Sequence, residues 1–368
     1  MGEAMGDKKT IAFYIGDLSR GGAEKVMINL ARYFKSLGYE VYLVTKTVGE
    51  TEYEVPEGIN RLLADITPEE ETKSRIKNLI KRITKLRGIW KEIKPDLILS
   101  FIRKNNLMAI ASSDGLGIPV VVGIRSNPER ELQGRGFKQL SFLMFKKAAG
   151  IVVQTSGGKS FLPGGLQKKT VIMPNSISTE YIGSEPVQFS ERRKEIVLVG
   201  RIDSNKNQRM VLEAFSEIMD EYRDWSLHLY GDGEMAAGLR NRFDCDGIVF
   251  HGQVSDVKSR IEKASVFVLP SKQEGMPNAL IEAMALGLAC ISTDCPCGGP
   301  ADLIKQDENG ILIPVDDREK LKEQLCRLMD DEQLRIGLGK EASKIAEDMK
   351  PEKVNQLWKE YLEGFIRK

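Results

Sequence analysis

The chain has 368 residues, of which 41% are hydrophobic and 29% charged, so it has a globular composition but is too long for a single hydrophobic core. Its net charge of +1 gives no general attraction for nucleic acid, and it contains neither a signal-peptide pattern nor a run of ~18 apolar residues. We therefore expect a cytoplasmic two-domain protein without a transmembrane helix. The only two histidines, His228 and His251, disfavour histidine metal sites and Ser-His-Asp hydrolases. We expect both to be hydrogen-bonded structural residues.

Short apolar runs alternate with helical patterns along the whole chain, which is typical of α/β domains with parallel sheets. In the first half, strands are predicted at residues 11–15, 41–45, 97–101, 120–124, 151–154 and 171–173. In the second half, they are predicted at residues 196–200, 226–230, 248–251, 266–270, 289–293 and 311–314. The pattern therefore predicts two doubly wound domains.

The stretch between the two halves lacks periodicity, so residues 175–194 are predicted to be a linker between domains at 1–174 and 195–350. A final amphipathic helix is predicted at 351–368. It carries more apolar surface than a tail needs, so it either crosses back over the domain junction or packs on the second domain.

The first strand is followed by a glycine pair at the start of a helix. Gly21 and Gly22 have no Cβ atoms, so the backbone can approach a ligand closely there; a simple tight turn is the alternative. The Gly-x-Gly-x-x-Gly pattern is missing and no acidic residue ends the second strand, which disfavours a dinucleotide site.

Residues 73–94 form a strongly cationic amphipathic stretch in which Glu92 is the only acidic residue. One interpretation is a surface helix that buries an apolar stripe against the sheet; that stripe comprises Ile76, Leu79, Ile80, Ile83, Leu86 and Trp90. The other is a helix whose cations bind an anionic membrane or the phosphates of a polyprenyl-linked acceptor, namely Lys77, Lys81, Arg82 and Lys85. The segment 137–147 is a second candidate for membrane contact.

In the second half, the first strand leads into a polar loop bracketed by Arg201 and Lys206. Two cations in that position suit a diphosphate whose negative charge grows as it leaves, although solvated surface cations are common.

The segment from Glu274 to Gly287 is the most informative. Pro277 is expected at the first helical position and Gly287 just past the helix end. The N–H groups of Asn278, Ala279 and Leu280 would then point at a ligand beside Gly275, typically a phosphate. Glu282 has no cationic partner three or four residues away on this helix, so we expect its donor elsewhere, and sugar hydroxyls are such donors.

Taken together, these motifs resemble the retaining nucleotide-sugar glycosyltransferases of family 4, which have the GT-B fold of two facing Rossmann-like domains with a cleft between them. The motifs that carry the resemblance span essentially the whole chain: residues 21–24, 200–201 with 206–207, 231–233, 274–278, 282–285 and Gly287.

The resemblance implies roles for individual residues. Glu282 would bind the ribose hydroxyls, Glu274 a hydroxyl of the donor sugar, and Arg201 and Lys206 the diphosphate. Backbone groups near Gly22 and Ala279 would complete the phosphate cradle, with Gly275 and Met276 also lining the donor. Arg125 stands where many relatives have a histidine near the transferred sugar, and because arginine stays protonated it is not expected to act as a base.

The resulting hypothesis is a metal-independent enzyme without a cofactor. It would transfer a hexose or N-acetylhexosamine from a nucleotide sugar, with a UDP-sugar as the expected donor, to a lipid-linked or growing glycan in polysaccharide or glycoconjugate assembly. The leaving diphosphate would accept the acceptor's proton on the same face, giving retention. The protein would have no nucleic-acid partner and would associate peripherally with the inner face of the membrane. A nucleotide-sugar epimerase and a non-catalytic nucleotide-sugar-binding subunit are the alternatives.

Overall fold

The computed structural model describes residues 8–19, 21–183 and 187–366. The described chain divides into two compact units. The first contains the residues up to Gln154, Gly158–Met173 and the residues from Asn355 onward. The second contains Thr155–Gly157 and Pro174–Val354.

All strands are parallel within each sheet. The strands of the first unit are β1 (Thr10–Ile15), β2 (Glu40–Thr45), β3 (Asn60–Leu63), β4 (Leu97–Phe101), β5 (Val120–Gly123), β6 (Gly150–Val153) and β7 (Thr170–Ile172), in the order β3-β2-β1-β4-β5-β6-β7. Those of the second are β8 (Arg193–Val199), β9 (Ser226–Tyr230), β10 (Ile248–Gly252), β11 (Ala264–Leu269), β12 (Ala289–Thr293) and β13 (Ile311–Ile313), in the order β10-β9-β8-β11-β12-β13. Two Rossmann-like sheets are therefore confirmed.

Helices connect the strands and cover the sheets. In the first half of the chain they are α1 (Gly22–Ser36), α2 (Arg75–Ile93), α3 (Arg103–Ser113), α4 (Pro128–Glu131), α5 (Arg135–Phe145), α6 (Ser156–Ser160) and α7 (Gly164–Gln167). They continue as α8 (Gln208–Ser216), α9 (Ala236–Arg242), α10 (Val257–Ile261), α11 (Asn278–Ala285), α12 (Gly299–Leu303), α13 (Arg318–Asp330), α14 (Glu332–Ser343), α15 (Ile345–Asp348) and α16 (Pro351–Glu363).

The central strands form because they are apolar along their whole length. Every residue of β1 and of β11 is buried, as expected for strands covered on both faces. The edge strand β3 was not predicted from the sequence. Its four residues, Asn-Arg-Leu-Leu, are half-buried or exposed and therefore carry a weak hydrophobic signal.

The described part of the predicted linker, residues 175–183 and 187–194, belongs to the second unit. Ile177 and Tyr181 are 3% and 4% exposed and pack in a hydrophobic core of the second unit, and β8 already begins at Arg193. The Arg192 guanidinium donates hydrogen bonds to the carbonyls of Ala264 and Leu286, both at 2.7 Å. The segment packs on the second sheet through short turns, which have no hydrophobic period to detect; its residues 184–186 lie outside the described residues.

The last helix, α16, begins in the second unit, but its residues from Asn355 belong to the first. Trp358 is buried there, with its ring 5.8 Å from the ring of Phe101, and Tyr39 donates a 2.6 Å hydrogen bond to Glu363. Residues 367 and 368 of the predicted helix lie outside the described range.

Candidate functional site

The loop after β8 is organised by Asp203. One oxygen of its carboxylate accepts the Nε–H of Arg201 at 2.6 Å, and the other accepts the backbone N–H groups of Asn205 at 3.0 Å and Lys206 at 2.8 Å. Burial alone would raise the pKa of Asp203, but these hydrogen bonds outweigh burial and lower it. The loop is therefore a preformed Asx-type turn that presents both predicted diphosphate cations.

Lys206 and Glu274 contact each other directly. The Lys206 Nζ lies 2.5 Å from the Glu274 Oε1, and the two side chains are 24% and 11% exposed. The loops that carry them are also joined, because Asn205 donates its side-chain amide to the Gln273 carbonyl at 3.1 Å and accepts the Lys272 N–H at 2.8 Å. The structure thus places a lysine that is predicted to bind the diphosphate in contact with a carboxylate that is predicted to bind the sugar.

The sequence predicted Pro277 as the first helical residue. In the structure Pro277 is the N-cap residue, and the helix α11 begins one residue later, at Asn278. Of the three N–H groups predicted to face a ligand, that of Leu280 instead donates to the Pro277 carbonyl at 3.1 Å. Because the first turn of α11 is this tight, the Leu280 N–H already has an acceptor within the turn. Among the described residues, no acceptor is found for the N–H groups of Asn278 and Ala279, so these two remain able to bind an anion.

The start of α11 is fixed by its neighbours. Asn175 donates a 2.7 Å hydrogen bond to the Asn278 side-chain oxygen and lies 3.5 Å from the Met276 carbonyl. Gly299 packs so closely that a Cβ there would lie 1.6 Å from the Gly275 carbonyl oxygen. The turn at Gly275 and Met276 therefore has little freedom to move.

Glu282 has a protein partner. Burial, followed by the nearby charge of the Glu282 carboxylate, raises the pKa of Tyr181, so the Tyr181 hydroxyl lies beside that carboxylate. The sequence argument that Glu282 needs a donor from another element is satisfied by this tyrosine, so Glu282 does not require a sugar hydroxyl to be paired. A ligand would share the carboxylate with Tyr181.

Glycines let the ends of neighbouring strands approach closely at this edge of the sheet. Gly231 has φ +137°, and a Cβ there would lie 2.0 Å from the Gly200 carbonyl oxygen. Next to it, His228 and His251 share a 2.8 Å hydrogen bond, and the His251 ring stacks on Tyr230 at 4.3 Å. Both histidines are hydrogen-bonded partners within the sheet, as expected.

In the first unit, Gly21 is the N-cap residue of α1 and Gly22 is its first residue. A Cβ on Gly22 would meet no atom of the described residues within 4 Å, so those residues leave this side of the helix start open. A Cβ on Gly21 would come within 2.2 Å of the Glu24 carboxylate, so Gly21 could not be replaced without moving that side chain.

Arg125 follows β5 and lies over the Phe101 ring, with its guanidinium carbon 5.1 Å from the ring centroid. The residue is half-buried, but its Nε and Nη1 atoms are shielded from solvent. Burial lowers the pKa of Arg125 to about 10, against the attraction of Glu131. Arg125 therefore remains a cation at neutral pH.

Glu131 fixes the backbone around Arg125. Its carboxylate accepts the N–H of Arg103 at 2.9 Å, the N–H of Arg125 at 3.3 Å and the Ser126 hydroxyl at 2.8 Å. Between these elements, Ile102 has φ 73° and ψ 131°, a strained conformation for a β-branched residue. The ends of β4 and β5 are thus held in place by a single half-buried carboxylate.

Three of the four cations predicted to face a membrane or acceptor are bound by the acidic segment that precedes α2. Arg82 pairs with Asp65 at 2.6 Å and Glu71 at 3.4 Å, Lys85 lies 3.7 Å from Glu70, and Lys81 donates to the Glu70 carbonyl at 2.5 Å. Lys77 is exposed. The predicted apolar stripe is only partly buried, with Leu86 and Trp90 fully covered and the residues near the helix start, Ile76, Leu79 and Ile80, exposed.

Sequence reasoning missed three of the residues that shape these sites. Asp203 had a detectable signal, because Asp-Ser-Asn-Lys is a typical turn-forming stretch. Tyr181 lies 101 residues from Glu282, and Glu131 bonds to backbone groups on two other elements, so neither has a local sequence pattern.

Comparison with known sequences identifies both halves of the chain. Residues 20–181 match the family described as Glycosyltransferase Family 4, and residues 193–331 match Glycosyl transferases group 1. The chain therefore belongs to the GT-B glycosyltransferases, with a family 4 domain followed by a group 1 domain.

Two similar proteins come from Campylobacter jejuni. One is the GalNAc-alpha-(1->4)-GalNAc-alpha-(1->3)-diNAcBac-PP-undecaprenol alpha-1,4-N-acetyl-D-galactosaminyltransferase, which is 28% identical over 95% of this chain and 96% of its own length. The other is the N-acetylgalactosamine-N,N'-diacetylbacillosaminyl-diphospho-undecaprenol 4-alpha-N-acetylgalactosaminyltransferase, 26% identical over 88% of this chain and 91% of its own.

Solved structures share the fold. Anabaena HepE in complex with UDP superposes with a TM-score of 0.80 at 15% identity, covering 97% of this chain and 100% of HepE. Sucrose-phosphate synthase from Thermosynechococcus elongatus superposes with a TM-score of 0.78 at 18% identity, covering 97% and 99% of the two chains. Within the described residues, no helix is both long and apolar enough to cross a bilayer.

Proposed function

We propose that this glycosyltransferase moves a hexose or N-acetylhexosamine from a UDP-sugar to a lipid-linked or growing glycan acceptor, with retention of anomeric configuration. The reaction would serve cell-surface polysaccharide or glycoconjugate assembly at the inner face of the membrane.

The observation that carries this proposal is the meeting of Lys206 and Glu274 beside the start of α11. Lys206 and the N–H groups of Asn278 and Ala279 offer positive charge to a diphosphate, and Glu274 offers a hydrogen-bond acceptor to a sugar hydroxyl. A nucleoside diphosphate with an attached sugar contains both kinds of partner. Glu282 and Tyr181, on and beside the same helix, would receive the ribose hydroxyls.

The proposed chemistry relies on stabilising the leaving group. Negative charge develops on the diphosphate as the sugar leaves, and Arg201 and Lys206 would bind that charge more strongly in the transition state than in the ground state. Arg125 keeps its proton at neutral pH, so it would bind the donor and not act as a base. The diphosphate oxygen would then take the acceptor's proton on the face from which the sugar departs.

The acceptor class is proposed from the relatives. Both Campylobacter enzymes are named for transfer to undecaprenol-diphosphate-linked sugars. We propose the same class of lipid-linked acceptor here, together with peripheral membrane association to which Lys77, Lys81, Arg82 and Lys85 would contribute, and no requirement for metal or cofactor.

The test is UDP release from a panel of UDP-sugars, with and without a polyprenyl-diphosphate-linked sugar, in EDTA and with added magnesium or manganese. We expect one donor to be consumed, acceptor-dependent release and full turnover in EDTA. Conversion of the UDP-sugar to its epimer would favour an epimerase, and binding without turnover a non-catalytic subunit. Activity restored only by a divalent ion would contradict metal independence.

A further inference from the structure

Two free cysteines stand one residue apart in the loop between β12 and α12. Cys295 and Cys297 flank Pro296, and both are free thiols. Cys295 is buried, Cys297 is half-buried and Pro296 is exposed. The transfer chemistry proposed above uses neither thiol. The loop thus carries two nucleophilic groups that the donor site does not account for.

A β-turn brings the two cysteines together. The Gly298 N–H donates to the Cys295 carbonyl at 3.0 Å, which closes the turn, and Cys297 has φ 80°. Proline followed by a residue with positive φ is the pattern of a type II turn, in which glycine normally takes the third position. Two peptide units separate the Cα atoms of residues i and i+2 by at most ~7 Å, and the bend brings them within the ~4.4–6.8 Å that disulfides span. We call residues 295–298 the cysteine turn.

The cysteine turn packs directly against the segment that carries Glu274. Gly299, two residues after Cys297, leaves no room for a Cβ atom beside the Gly275 carbonyl. Burial, and after it the charge of the Glu274 carboxylate, raises the pKa of the Cys295 thiol to about 11, so this thiol lies near that carboxylate. A change in the shape of the cysteine turn would therefore disturb Gly275 and Glu274.

A second backbone segment confines the cysteine turn. Residues 155–157 belong to the same unit, and a Cβ on Gly157 would lie 2.6 Å from the Cys297 carbonyl oxygen. Ser156 is held in place, because its N–H donates to the Asp302 carboxylate at 2.7 Å. A change in the shape of the cysteine turn has little room here and would act on the segment that carries Glu274.

We propose that Cys295 and Cys297 form a reversible disulfide that weakens nucleotide binding at the donor site. The Cys295 thiol now lies beside Glu274, so it would have to turn away from that carboxylate to reach Cys297. Ring closure across a single proline also demands Cβ atoms ~3.5–4.5 Å apart, which would reshape the cysteine turn and the Gly275 backbone against it. Glu274 would then lose its position beside Lys206. The inference rests on the proposed function, because these two residues are the donor-binding groups proposed above.

The oxidant would be a small-molecule disulfide such as oxidised glutathione. Exchange begins with a thiolate, and the raised pKa keeps Cys295 protonated at neutral pH, so Cys297 would attack first. Its sulfur bonds to one sulfur of the small disulfide, and one thiol leaves. Cys295 then gives up its proton and attacks the Cys297 sulfur of this mixed disulfide, and the second thiol leaves. Two electrons and two protons pass from the protein to the small disulfide.

The experiment compares the full chain in oxidised glutathione with a sample kept in dithiothreitol. After denaturation and blocking of free thiols with iodoacetamide, peptide mass spectrometry should locate a disulfide between Cys295 and Cys297 and find Cys290 blocked. Calorimetric titration should show a UDP affinity lower by about tenfold or more in the oxidised sample, because the donor-binding groups are displaced. Dithiothreitol should restore the affinity.

Cys297→Gly removes the thiol that reacts first and suits the backbone, because glycine adopts φ 80° without strain. It should bind UDP like the reduced parent and keep this affinity in oxidised glutathione. Cys297→Ser, which nearly keeps the side-chain volume, should do the same. Cys245→Ser is the matched control, because it removes an exposed thiol from the same unit and should remain as sensitive to oxidation as the parent.

A glutathione adduct on Cys297 without the internal disulfide would overturn the proposal, as would a disulfide that changes UDP affinity by less than about twofold. Loss of affinity in oxidised Cys297→Gly would place the sensitive thiol elsewhere and also overturn it. The two proposals fail separately. UDP binding and turnover that ignore oxidation contradict the disulfide alone, whereas a disulfide between Cys295 and Cys297 in a protein that consumes no UDP-sugar contradicts the proposed function alone.

Discussion

The Nζ of Lys206 and the Oε1 of Glu274 lie 2.5 Å apart and form an ion pair between the loops that follow β8 and β11. In the proposed donor site each of these groups binds a different part of the donor, so a bound nucleotide sugar would compete with this pair for both of them. Removing the Glu274 charge should therefore change UDP affinity and turnover in opposite directions.

Replacing Glu274 by glutamine should tighten UDP binding by about threefold, because Lys206 would no longer be held by a carboxylate. Turnover should fall by ~100-fold, because a charged acceptor for the sugar hydroxyl is lost. Calorimetric titration with UDP and initial rates on the same variant measure the two effects. Weaker UDP binding would show that Glu274 does not restrain Lys206.

Replacing Lys206 by alanine should lower kcat by ~100-fold or more and raise the donor KM only a few-fold, because its charge matters most when the diphosphate leaves. Lys272→Ala is the matched control: Lys272 pairs with Asp316 at 2.9 Å on a neighbouring loop, and both of those side chains are about half exposed. Its rate should remain near that of the parent. An increase in KM with an unchanged kcat for Lys206→Ala would refute the leaving-group role.

Removing the Tyr181 hydroxyl tests the support of Glu282. Tyr181→Phe keeps the buried ring but takes away the hydroxyl beside the Glu282 carboxylate, so the free energy of unfolding should fall by about 1 kcal/mol. UDP binding should weaken several-fold because Glu282 loses its orientation, and Tyr222→Phe, which removes an exposed hydroxyl from a bond to Asp330, should leave it unchanged. If Tyr181→Phe bound UDP as tightly as the parent, then either Glu282 does not bind the ribose or its orientation does not depend on Tyr181.

These residues also show where sequence reasoning succeeds and fails. The buried strands, and the start of α11 to within one residue, could be predicted because local apolar runs and a proline at the helix start specify them. The Glu282 donor and the pairing of Arg82 with Asp65 could not, since each depends on which segments the fold brings together. The packing of Arg192 could not be predicted for the same reason, since it binds carbonyls that are distant in sequence.

The histidine pair predicts a pH dependence of stability. Burial lowers the pKa of His228 and of His251, with further lowering by Arg193 on the former and by His228 and Arg260 on the latter. The unfolded chain therefore binds these protons more tightly than the folded one. The contribution of the two neutral histidines to the free energy of unfolding is complete above the ordinary histidine pKa of ~6.5. It is lost as the pH falls through the lowered pKa values of the folded protein.

Thermal unfolding between pH 7.5 and 5 checks this expectation, with Tm falling toward acid. Glu131 and Glu195 act in the opposite direction, because burial raises the pKa of each carboxyl and so favours protonation in the folded state. A His228→Gln/His251→Gln variant should therefore show a flatter fall in Tm. An equally steep fall in that variant would place the titrating groups elsewhere.

The anomeric configuration of the first product formed tests the central claim most directly. NMR spectra of the product formed from the active UDP-sugar and a lipid-linked acceptor report the configuration of the new linkage. Departure of the diphosphate and attack by the acceptor on the same face, assisted by Arg201 and Lys206, predict a product with the configuration of the donor. A product of inverted configuration would contradict this account.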